Sequence, residues 1–318
     1  MHGMPRRSAL AALLTAASMA GAARAAFSVD GPARIRVGAA KGALLDLTVA
    51  GSRLVAVGER GHVLLSDDHG RTWRQARVVP TRVTLTCVHA TDDKRLWAAG
   101  HGGVIVTSGD AGESWSLAAG TAESQDVLLS IRVDRDGRGL AVGGFGLAVA
   151  TVDAGKSWRS TTLLDGEVGE KHLNRIFVSR SGAWLIAAEG GHVLRSTDGH
   201  RWHAVVTPYR GSLWTGLQLP GGALLVGGMR GNVVRSTDDG LTWAHSPIAQ
   251  AGSFTGAAVL ADARPVLVGV DGTLAVGNRE GTVFELLRQQ DRVTLTGIAV
   301  AAGAVVASTT AGPRVITV

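Results

Sequence analysis

The sequence repeats itself about every 42 residues, and this repeat limits the possible folds more than any other feature. Five similar segments end in a tryptophan, and these tryptophans are separated by 42, 43, 44 and 41 positions. A degenerate sixth copy, residues 267–284, ends 41 positions after the fifth tryptophan. A fixed period of this length is typical of a chain built from stacked copies of one small unit. The five tryptophans are Trp73, Trp115, Trp158, Trp202 and Trp243.

Each unit has the pattern of four short strands separated by Gly-rich or Asp-rich turns. In the first unit the strands read LLDLTVA, LVAVG, HVLLS and TWRQARV, and strands like the first of these recur seven times along the chain. Four strands in a unit of this length are typical of a β-propeller, in which each twisted sheet covers the apolar face of its neighbour. We therefore predict an all-β, seven-bladed β-propeller, formed as a single domain by residues 26–318.

The two ends of the chain suggest how the ring closes. The last unit has only three strands before Val318, so it lacks an outer strand. The segment ARIRV, residues 33–37, has the character of a strand and lies outside the first unit. Pairing of this segment with the C-terminal strand would remove an exposed sheet edge. We therefore predict that the last blade is closed by the N-terminal strand.

The first 25 residues have the features of a secretory signal. Arg6 and Arg7 precede an apolar run over residues 9–20, and the small-residue motif of a cleavage site follows at residues 23–25. The apolar run is shorter than the roughly 20 residues needed to span a bilayer. We predict that residues 1–25 are a cleaved signal peptide and that the protein is periplasmic or secreted, with no membrane span after cleavage. The two adjacent arginines leave both the general and the twin-arginine route open.

Composition excludes several classes of function. The single cysteine, Cys87, excludes a disulfide scaffold, a cysteine-rich zinc module and CxxC redox chemistry. The formal charge of +6 falls to +3 once the three arginines of the signal peptide are removed, and no lysine-rich run occurs. This balance argues against a nucleic-acid partner. No histidine pair has metal-ligand spacing on a helix, so we expect neither a metal nor a cofactor.

The turn that closes each unit follows the pattern Ser-x-Asp-x-Gly-x-Thr/Ser-Trp, known as the Asp-box or BNR repeat; its best copies are SDDHGRTW and STDDGLTW. The aspartate can accept backbone N–H bonds within its own turn, glycine permits a positive φ, and tryptophan can fill the gap between blades. Five equivalent copies around a ring cannot converge on one site, so we predict structural roles. The sixth copy has lost aspartate and tryptophan together, which indicates that the two residues serve one local structural role in the turn. The predicted box aspartates are Asp68, Asp110, Asp153, Asp198 and Asp239.

A partner surface is expected on the opposite face of the propeller. The turns between second and third strands, together with the links between blades, form this face. Its residues are mixed in charge and rich in arginine, which favours an acidic or amphipathic protein segment, although a solvated rim remains an alternative. The link residue Glu123 belongs to the same face. The predicted partner-binding residues are Glu59, Arg60, His101, Phe145, Glu189, Tyr209, Arg210, Trp214, Met229, Arg230 and Asp271.

The repeated G-x-x-G-x-V-x-x-S-x-D-x-G-x-T-W unit, in a secreted seven-unit chain, resembles the photosystem II stability/assembly factor family over nearly all of residues 27–318. The resemblance implies a non-catalytic scaffold on the lumenal or periplasmic side that binds newly made membrane proteins. We also expect the protein to be a monomer. The arginine patch of that family would map here onto Arg195 and Arg235. We therefore expect an exported assembly or stability factor for a membrane protein or envelope complex.

Two other functions stay open at this stage. A sialidase-like glycosidase needs arginines for the substrate carboxylate and a tyrosine nucleophile with a glutamate partner. The only tyrosine, Tyr209, would then pair with Glu189 or Glu170, and Arg34 or Arg36 would stand in for the arginine clamp. A carbohydrate-binding propeller without catalysis would use Trp214 as its sugar platform.

Overall fold

The computed structural model describes residues 30–120 and 125–318, so the predicted signal peptide and Glu123 lie outside the described residues. Seven antiparallel sheets are arranged in a ring, which confirms the all-β, seven-bladed β-propeller prediction. Strand order within every sheet follows chain order, so each blade is a meander of neighbouring strands. No helix within residues 30–120 and 125–318 is long and apolar enough to cross a membrane.

The first four blades have four strands each. Blade 1 contains β1 (Leu44–Ala50), β2 (Arg53–Gly58), β3 (Val63–Ser66) and β4 (Arg74–Gln75). Blade 2 contains β5 (Leu85–Ala90), β6 (Leu96–Gly100), β7 (Ile105–Ser108) and β8 (Ser116–Ala119). Blade 3 contains β9 (Leu128–Val133), β10 (Gly139–Gly143), β11 (Ala148–Thr151) and β12 (Arg159–Ser160). Blade 4 contains β13 (Leu173–Val178), β14 (Trp184–Ala188), β15 (His192–Ser196) and β16 (His203–Val206).

The remaining blades follow the same order, except that the seventh is shorter by one strand. Blade 5 contains β17 (Leu213–Gln218), β18 (Leu224–Gly228), β19 (Val233–Ser236) and β20 (Ala244–His245). Blade 6 contains β21 (Phe254–Val259), β22 (Pro265–Gly269), β23 (Thr273–Gly277) and β24 (Phe284–Arg288). Blade 7 contains β25 (Leu295–Ala301), β26 (Ala304–Thr309) and β27 (Arg314–Ile316). Short 3-10 turns span Ala39–Lys41, Glu59–Gly61, Gly144–Gly146, Glu167–Glu170, Glu189–Gly191, Met229–Gly231 and Val270–Gly272.

The core lies between the blades. The second strand of each blade is apolar without alternation because a neighbouring blade covers each of its faces; β14, with sequence WLIAA, is buried throughout. Each junction between neighbouring blades has its own hydrophobic cluster, and the cluster that joins blade 7 to blade 1 includes Leu47, Leu54, Ala299 and Val306. The ring is thus held by repeated sheet-to-sheet packing.

Hydrogen bonds between inner strands also run around the ring. In blades 6 and 7, a β-bulge lies near the start of the inner strand, and the residue at the bulge bonds the next blade. In blade 6, Thr255 Oγ1 donates to the carbonyl of Leu295 in blade 7 at 2.5 Å. In blade 7, Thr296 Oγ1 donates to the carbonyl of Leu44 in blade 1 at 2.7 Å. The junction that closes the ring therefore has the same kind of bond as an ordinary junction.

The N-terminal segment does not close the last blade, so that part of our prediction is wrong. The N–H of Ala33 donates to the carbonyl of Val79 at 2.9 Å, and the Gln75 side chain bonds the backbone of Arg34 and Arg36 at 2.9 and 3.1 Å. The segment therefore lies along the outer edge of blade 1, where it satisfies its backbone groups. Within the described residues, the sheet of blade 7 contains three strands only.

Candidate partner-binding face

The turns between second and third strands pack directly on the links between blades. In blade 4, the N–H of Glu189 donates to the carbonyl of His172, just before the inner strand of that blade, at 2.9 Å. The turn ends at Gly191, which has φ 74°; a Cβ there would lie 1.7 Å from the Tyr209 carbonyl oxygen, in the link that leaves the blade. Glycine is therefore required for this close approach. The turns and links together form one continuous face, which we call the turn face.

Four turns place a non-glycine residue in the left-handed backbone region at their tip. The φ angles are 57° at Arg60, 54° at Phe145, 56° at Arg230 and 55° at Asp271, whereas blades 2 and 4 have glycine there. A left-handed conformation costs about 1 kcal/mol or more for a residue with a side chain. The same left-handed conformation recurs at the turn tips of six blades, and in four of them it carries a side chain.

The turn face carries three arginines alongside the acidic residues Glu59, Glu189 and Asp271. Arg60, Arg210 and Arg230 are exposed. None of them forms an ion pair with a carboxylate of residues 30–120 or 125–318. By contrast, the carboxylate of Asp271 lies 3.9 Å from the guanidinium groups of two arginines, Arg288 and Arg292. The face therefore offers free guanidinium groups, which bind carboxylates well.

An aromatic cluster joins the turns of blades 3 and 4. The Phe145 side chain is 81 % exposed, and its ring meets the ring of His172 edge-on, with 4.6 Å between centroids. His172 Nδ1 lies 3.2 Å from Glu189 Oε2. The cluster thus has an apolar tip backed by a polar pair, an arrangement that suits an amphipathic ligand.

Tyr209 and Trp214 are both half-buried and already have polar partners. The Tyr209 hydroxyl donates to the Met229 carbonyl at 3.2 Å, and its ring stacks on the ring of His245. Trp214 Nε1 donates to Ser212 Oγ at 2.9 Å. Each of the two aromatic side chains is therefore fixed in orientation at the turn face.

The groups considered for a glycosidase do not form a nucleophile pair in the described chain. The Tyr209 hydroxyl bonds a backbone carbonyl, while Glu189 lies beside the His172 ring. Arg34 and Arg36 lie at the outer edge of blade 1, bonded to Gln75 through their backbone. Two predicted turn-face residues remain. His101 is exposed and forms a single bridge with Val127, and the N–H of Glu59 donates to the Ala43 carbonyl at 3.1 Å.

The Asp-box turns lie on the opposite face and form closed hydrogen-bond networks. In the first box, Asp68 Oδ1 accepts the N–H of Thr72 at 2.8 Å, and Oδ2 accepts the Thr72 hydroxyl at 2.6 Å. Ser66 Oγ donates to Asp68 and accepts the N–H of Gly70 at 2.8 Å. The Thr72 hydroxyl and N–H lower the pKa of Asp68 to about 2. Asp110 and Asp153 occupy equivalent networks in their own turns, and Asp198, in a turn one residue shorter, accepts the N–H groups of His200 and Arg201.

The fifth box uses Asp238, so the sequence assignment of Asp239 is wrong. Asp238 Oδ1 accepts the N–H of Thr242 at 2.9 Å, and Ser236 Oγ donates to Asp238 at 2.7 Å. Of the two adjacent aspartates in STDDGLTW, the first stands two positions after the box serine, as in the other boxes. Asp239 has a left-handed backbone with φ 62°, and its carboxylate accepts from Arg195 Nη2 at 2.5 Å.

The sixth turn keeps its hydrogen bonds despite its lost aspartate. Asn278 Oδ1 accepts the N–H of Thr282 at 2.8 Å, and Asn278 Nδ2 lies 3.0 Å from Thr282 Oγ1. An amide oxygen accepts backbone N–H bonds as a carboxylate does. Phe284 stands in the place of the tryptophan and packs in the cluster between blades 5 and 6. Both roles are thus replaced in this blade rather than lost.

Arg195 and Arg235 join neighbouring blades on the box face. Arg195 Nε donates to the Asp239 carbonyl in the next blade at 2.8 Å, and Arg235 Nε donates to the Glu280 carbonyl at 2.7 Å. Arg53 makes a similar bond to the Ala111 carbonyl at 3.1 Å. These bonds give Arg195 and Arg235 a structural role between blades, away from the turn face.

The box tryptophans fill the gaps between blades. Trp115 is 4 % exposed, and its Nε1 donates to the Gly112 carbonyl at 2.9 Å. Trp158 meets Trp97 of the preceding blade edge-on, with 5.9 Å between ring centroids. Trp202 is 5 % exposed and belongs to the cluster between blades 3 and 4. Trp73 and Trp243 are half-buried at their own junctions.

An ion pair near the centre of the ring was not predicted from the sequence. Asp46 and Arg175 follow the bulges of the inner strands in blades 1 and 4, and Arg175 Nη1 donates to Asp46 Oδ2 at 2.9 Å. The charge of Asp46 raises the pKa of Arg175. At the same position in blade 2, burial raises the pKa of the Cys87 thiol to about 12. In the part of the chain that the structure describes, no three His, Cys, Asp or Glu side chains gather to hold a metal ion.

These features define the class of the molecule as a seven-bladed β-propeller with Asp-box turns on one face. Neither a protein-family model nor a curated protein matches the sequence. Solved propellers do resemble it in structure. YCF48 bound to D1 peptide has a TM-score of 0.70 and 17 % identity, over 91 % of this chain and 100 % of that chain.

Two further solved structures share the fold. YCF48 from Cyanidioschyzon merolae has a TM-score of 0.64 and 14 % identity, over 89 % of this chain and 97 % of that chain. The WD40 β-propeller domain of Doa1 has a TM-score of 0.68 and 13 % identity, over 92 % of this chain and 97 % of that chain. At these identities the likeness establishes the fold alone.

Proposed function

We propose that the protein is an exported, non-catalytic scaffold that binds an acidic or amphipathic segment of another protein on its turn face. The observation that carries the proposal is the combination of free arginines and an exposed aromatic tip on that face. Arg60, Arg210 and Arg230 supply charge, and Phe145 supplies apolar surface. Carboxylates pair with guanidinium groups, while an aromatic anchor gives most of the affinity in many protein interfaces.

The client is a membrane protein or an envelope complex that the scaffold assembles or stabilises. Export is supported by the signal-like pattern of residues 1–25. A solved propeller of the same fold, YCF48, binds a peptide of D1, which supports a peptide-binding use of this architecture. The network of bonds within each Asp-box supports a purely structural use of the opposite face.

The test is recovery of a client from detergent-solubilised envelope. The chain carrying Arg60→Glu, Arg210→Glu and Arg230→Glu should recover at least tenfold less of a specific membrane protein than the unchanged chain. A matched control carries Arg71→Glu, Arg159→Glu and Arg201→Glu, three exposed arginines away from the turn face, and has the same net charge. This control should recover the client normally. Equal recovery by both variants would contradict the assignment of the turn face.

Enzymatic activity would contradict the proposal in a different way. Hydrolysis of a fluorogenic sialoside by the purified chain, abolished by Tyr209→Phe, would show that the propeller is a glycosidase. We expect no hydrolysis above that of buffer, because the Tyr209 hydroxyl bonds the Met229 carbonyl and has no glutamate partner among the described residues.

A further inference from the structure

The outer edge of blade 7 is open. In the other six blades a fourth strand pairs with the third, whereas β27 is the outermost strand of its sheet in the described chain. No backbone group of residues 314–316 bonds any described segment other than β26. The Val315 side chain is 49 % exposed at this edge. An unpaired edge with exposed apolar side chains is a template for another strand.

Apolar groups of blades 1 and 6 flank the position of the missing strand, which we call the slot. On the blade 1 side, a Cβ at Gly70 would lie 3.5 Å from Val315, and Trp73 packs against the same junction. On the blade 6 side, Ile316 belongs to a cluster that Leu287 of β24 also contacts. A strand in this slot would therefore place alternate side chains against Trp73 and against Leu287.

At the next junction, residues that follow the fourth strand of blade 1 cover the box tryptophan of blade 2. Trp115 of blade 2 is 4 % exposed, and it packs in one cluster with Ala76 and Val79, which follow β4 of blade 1. Trp73 of blade 1 is half-buried, as are Trp158 and Trp243, and blade 7 contributes no fourth strand to its junction. The segment that follows the fourth strand of blade 1 therefore covers Trp115, whereas blade 7 has no such segment in the described chain to cover Trp73.

The described part of the chain has no segment that pairs with β27 on its open side. Its first residue, Asp30, is held at the link between blades 1 and 2, where its carboxylate accepts the Arg82 N–H at 2.8 Å and the Thr81 hydroxyl at 3.2 Å. A second copy of the chain is a poor occupant, because three edge residues bury far less than the roughly 800 Å² per partner of a stable interface.

We propose that blade 7 binds an extended segment of a partner protein as its fourth strand. The segment pairs its backbone with β27 and alternates apolar side chains towards the two walls of the slot, the mode of recognition known as β-augmentation. The inference rests on the proposed protein-binding function and gives it a second contact, separate from the arginines of the turn face.

The test uses a peptide copied from the chain itself. Residues 282–290, TVFELLRQQ, contain β24, which is the fourth strand of blade 6 and pairs along the whole of β23. The labelled peptide should bind the chain from residue 26 onward with micromolar affinity in fluorescence anisotropy. It should also slow hydrogen exchange at residues 314–318. A peptide with the same side chains and alternate backbone amides N-methylated should not bind, since it cannot pair along the edge.

A substitution at the edge gives a second measurement. Val315→Pro removes a backbone N–H and should weaken peptide binding at least tenfold, whereas Val315→Thr should change it by less than threefold. If Val315→Pro does not fold, the difference in binding between the unmodified and the N-methylated peptide still tests whether the backbone pairs with β27. The variant with Arg60, Arg210 and Arg230 changed to glutamate should bind the peptide normally, so failure of the turn face and failure of this edge are separate results.

Three outcomes would overturn the inference. Equal binding of both peptides would mean that side chains are captured without strand pairing. Unchanged exchange at residues 314–318 would place the peptide elsewhere. Binding only to a chain that starts at Asp30 would show that the residues before it occupy the slot themselves.

Discussion

The guanidinium of Arg175 donates to the carboxylate of Asp46 with 2.9 Å between Nη1 and Oδ2, although the two residues are 129 positions apart. Asp46 lies in the inner strand of blade 1 and Arg175 in that of blade 4, so the bond reaches across the centre of the ring. Asp46 Oδ2 also accepts the N–H of Val88 in blade 2 at 3.1 Å. One carboxylate thus connects three blades.

We expect loss of this ion pair to destabilise the whole ring. Arg175→Gln leaves the Asp46 carboxylate, whose side chain is 7 % exposed, without its cation. Removing one partner of a buried pair costs about 3 kcal/mol or more, and the partial exposure of Arg175 lowers the expected loss to about 2 kcal/mol. Urea unfolding measures the change. The double variant Asp46→Asn, Arg175→Gln should lose less than the sum of the two single variants, and additive losses would show that the two groups are not coupled.

The Asp-boxes should make stability depend on acidity. Hydrogen bonds from Thr72 lower the pKa of Asp68 from 3.8 to about 2, and bonds from Ser157 and Thr242 do the same for Asp153 and Asp238. A carboxyl whose pKa is lower in the folded state stabilises the fold above its unfolded pKa and loses that effect as pH falls. The melting temperature should therefore be insensitive to these groups above about pH 4 and should fall between about pH 4 and pH 2.

The Asp68→Asn variant isolates this effect in one turn. Asparagine does not titrate, so the decline of its melting temperature below about pH 4 should be shallower than that of the unchanged chain. Asp165→Asn, an exposed position outside the boxes, serves as the control and should keep the original slope. Parallel acid profiles for the unchanged chain and the Asp68→Asn variant would mean that the box bonds do not favour the ionised form.

The box tryptophans should contribute strongly to stability through packing. Trp115 is 4 % exposed between blades 1 and 2, and truncation of a buried aromatic side chain costs about 3–5 kcal/mol. We expect Trp115→Ala to lower the free energy of unfolding by at least ~3 kcal/mol in guanidinium denaturation. Phe145→Ala, which removes an 81 % exposed ring, should change it by less than ~0.5 kcal/mol. A loss below ~1 kcal/mol for Trp115→Ala would exclude the packing role.

The contact between Gly191 and the link of blade 4 predicts that alanine substitution destabilises the fold much more at Gly191 than at Gly221. A Cβ at Gly191 would lie 1.7 Å from the Tyr209 carbonyl oxygen at a φ of 74°, whereas a Cβ at Gly221 would meet nothing within 4 Å. Gly191→Ala should destabilise the fold by about 2 kcal/mol or more, and Gly221→Ala by no more than about 0.5 kcal/mol. Thermal unfolding of the two variants compares them directly, and equal effects would mean that turn and link do not pack as described.

The architecture could be predicted from sequence because each blade is specified locally. Strand patterns, turns and box residues recur about every 42 positions, so a single well-preserved unit identifies the others. The position of Asp238 could have been found in the same way, by counting two residues from the box serine. Asn278 shows the limit of this approach, since its chemistry replaces the aspartate although the motif is gone.

Contacts between distant repeats could not be predicted. The bond between Asp46 and Arg175 depends on the size of the ring, and the position of residues 33–36 beside Gln75 depends on which edge offers backbone partners. Neither leaves a local pattern. The turn face could be predicted as a surface, but the left-handed tips and the pairing of Asp271 with two arginines required the three-dimensional arrangement.

The most direct measurement is site-specific photo-crosslinking in intact envelope. A photo-reactive amino acid is placed at Phe145 on the turn face or at Leu241 on the box face, whose side chains are 81 % and 59 % exposed. We predict that the probe at position 145 crosslinks to a membrane protein or envelope complex and that the probe at position 241 does not. Crosslinks from position 241 alone, or equal crosslinks from both faces, would contradict the account.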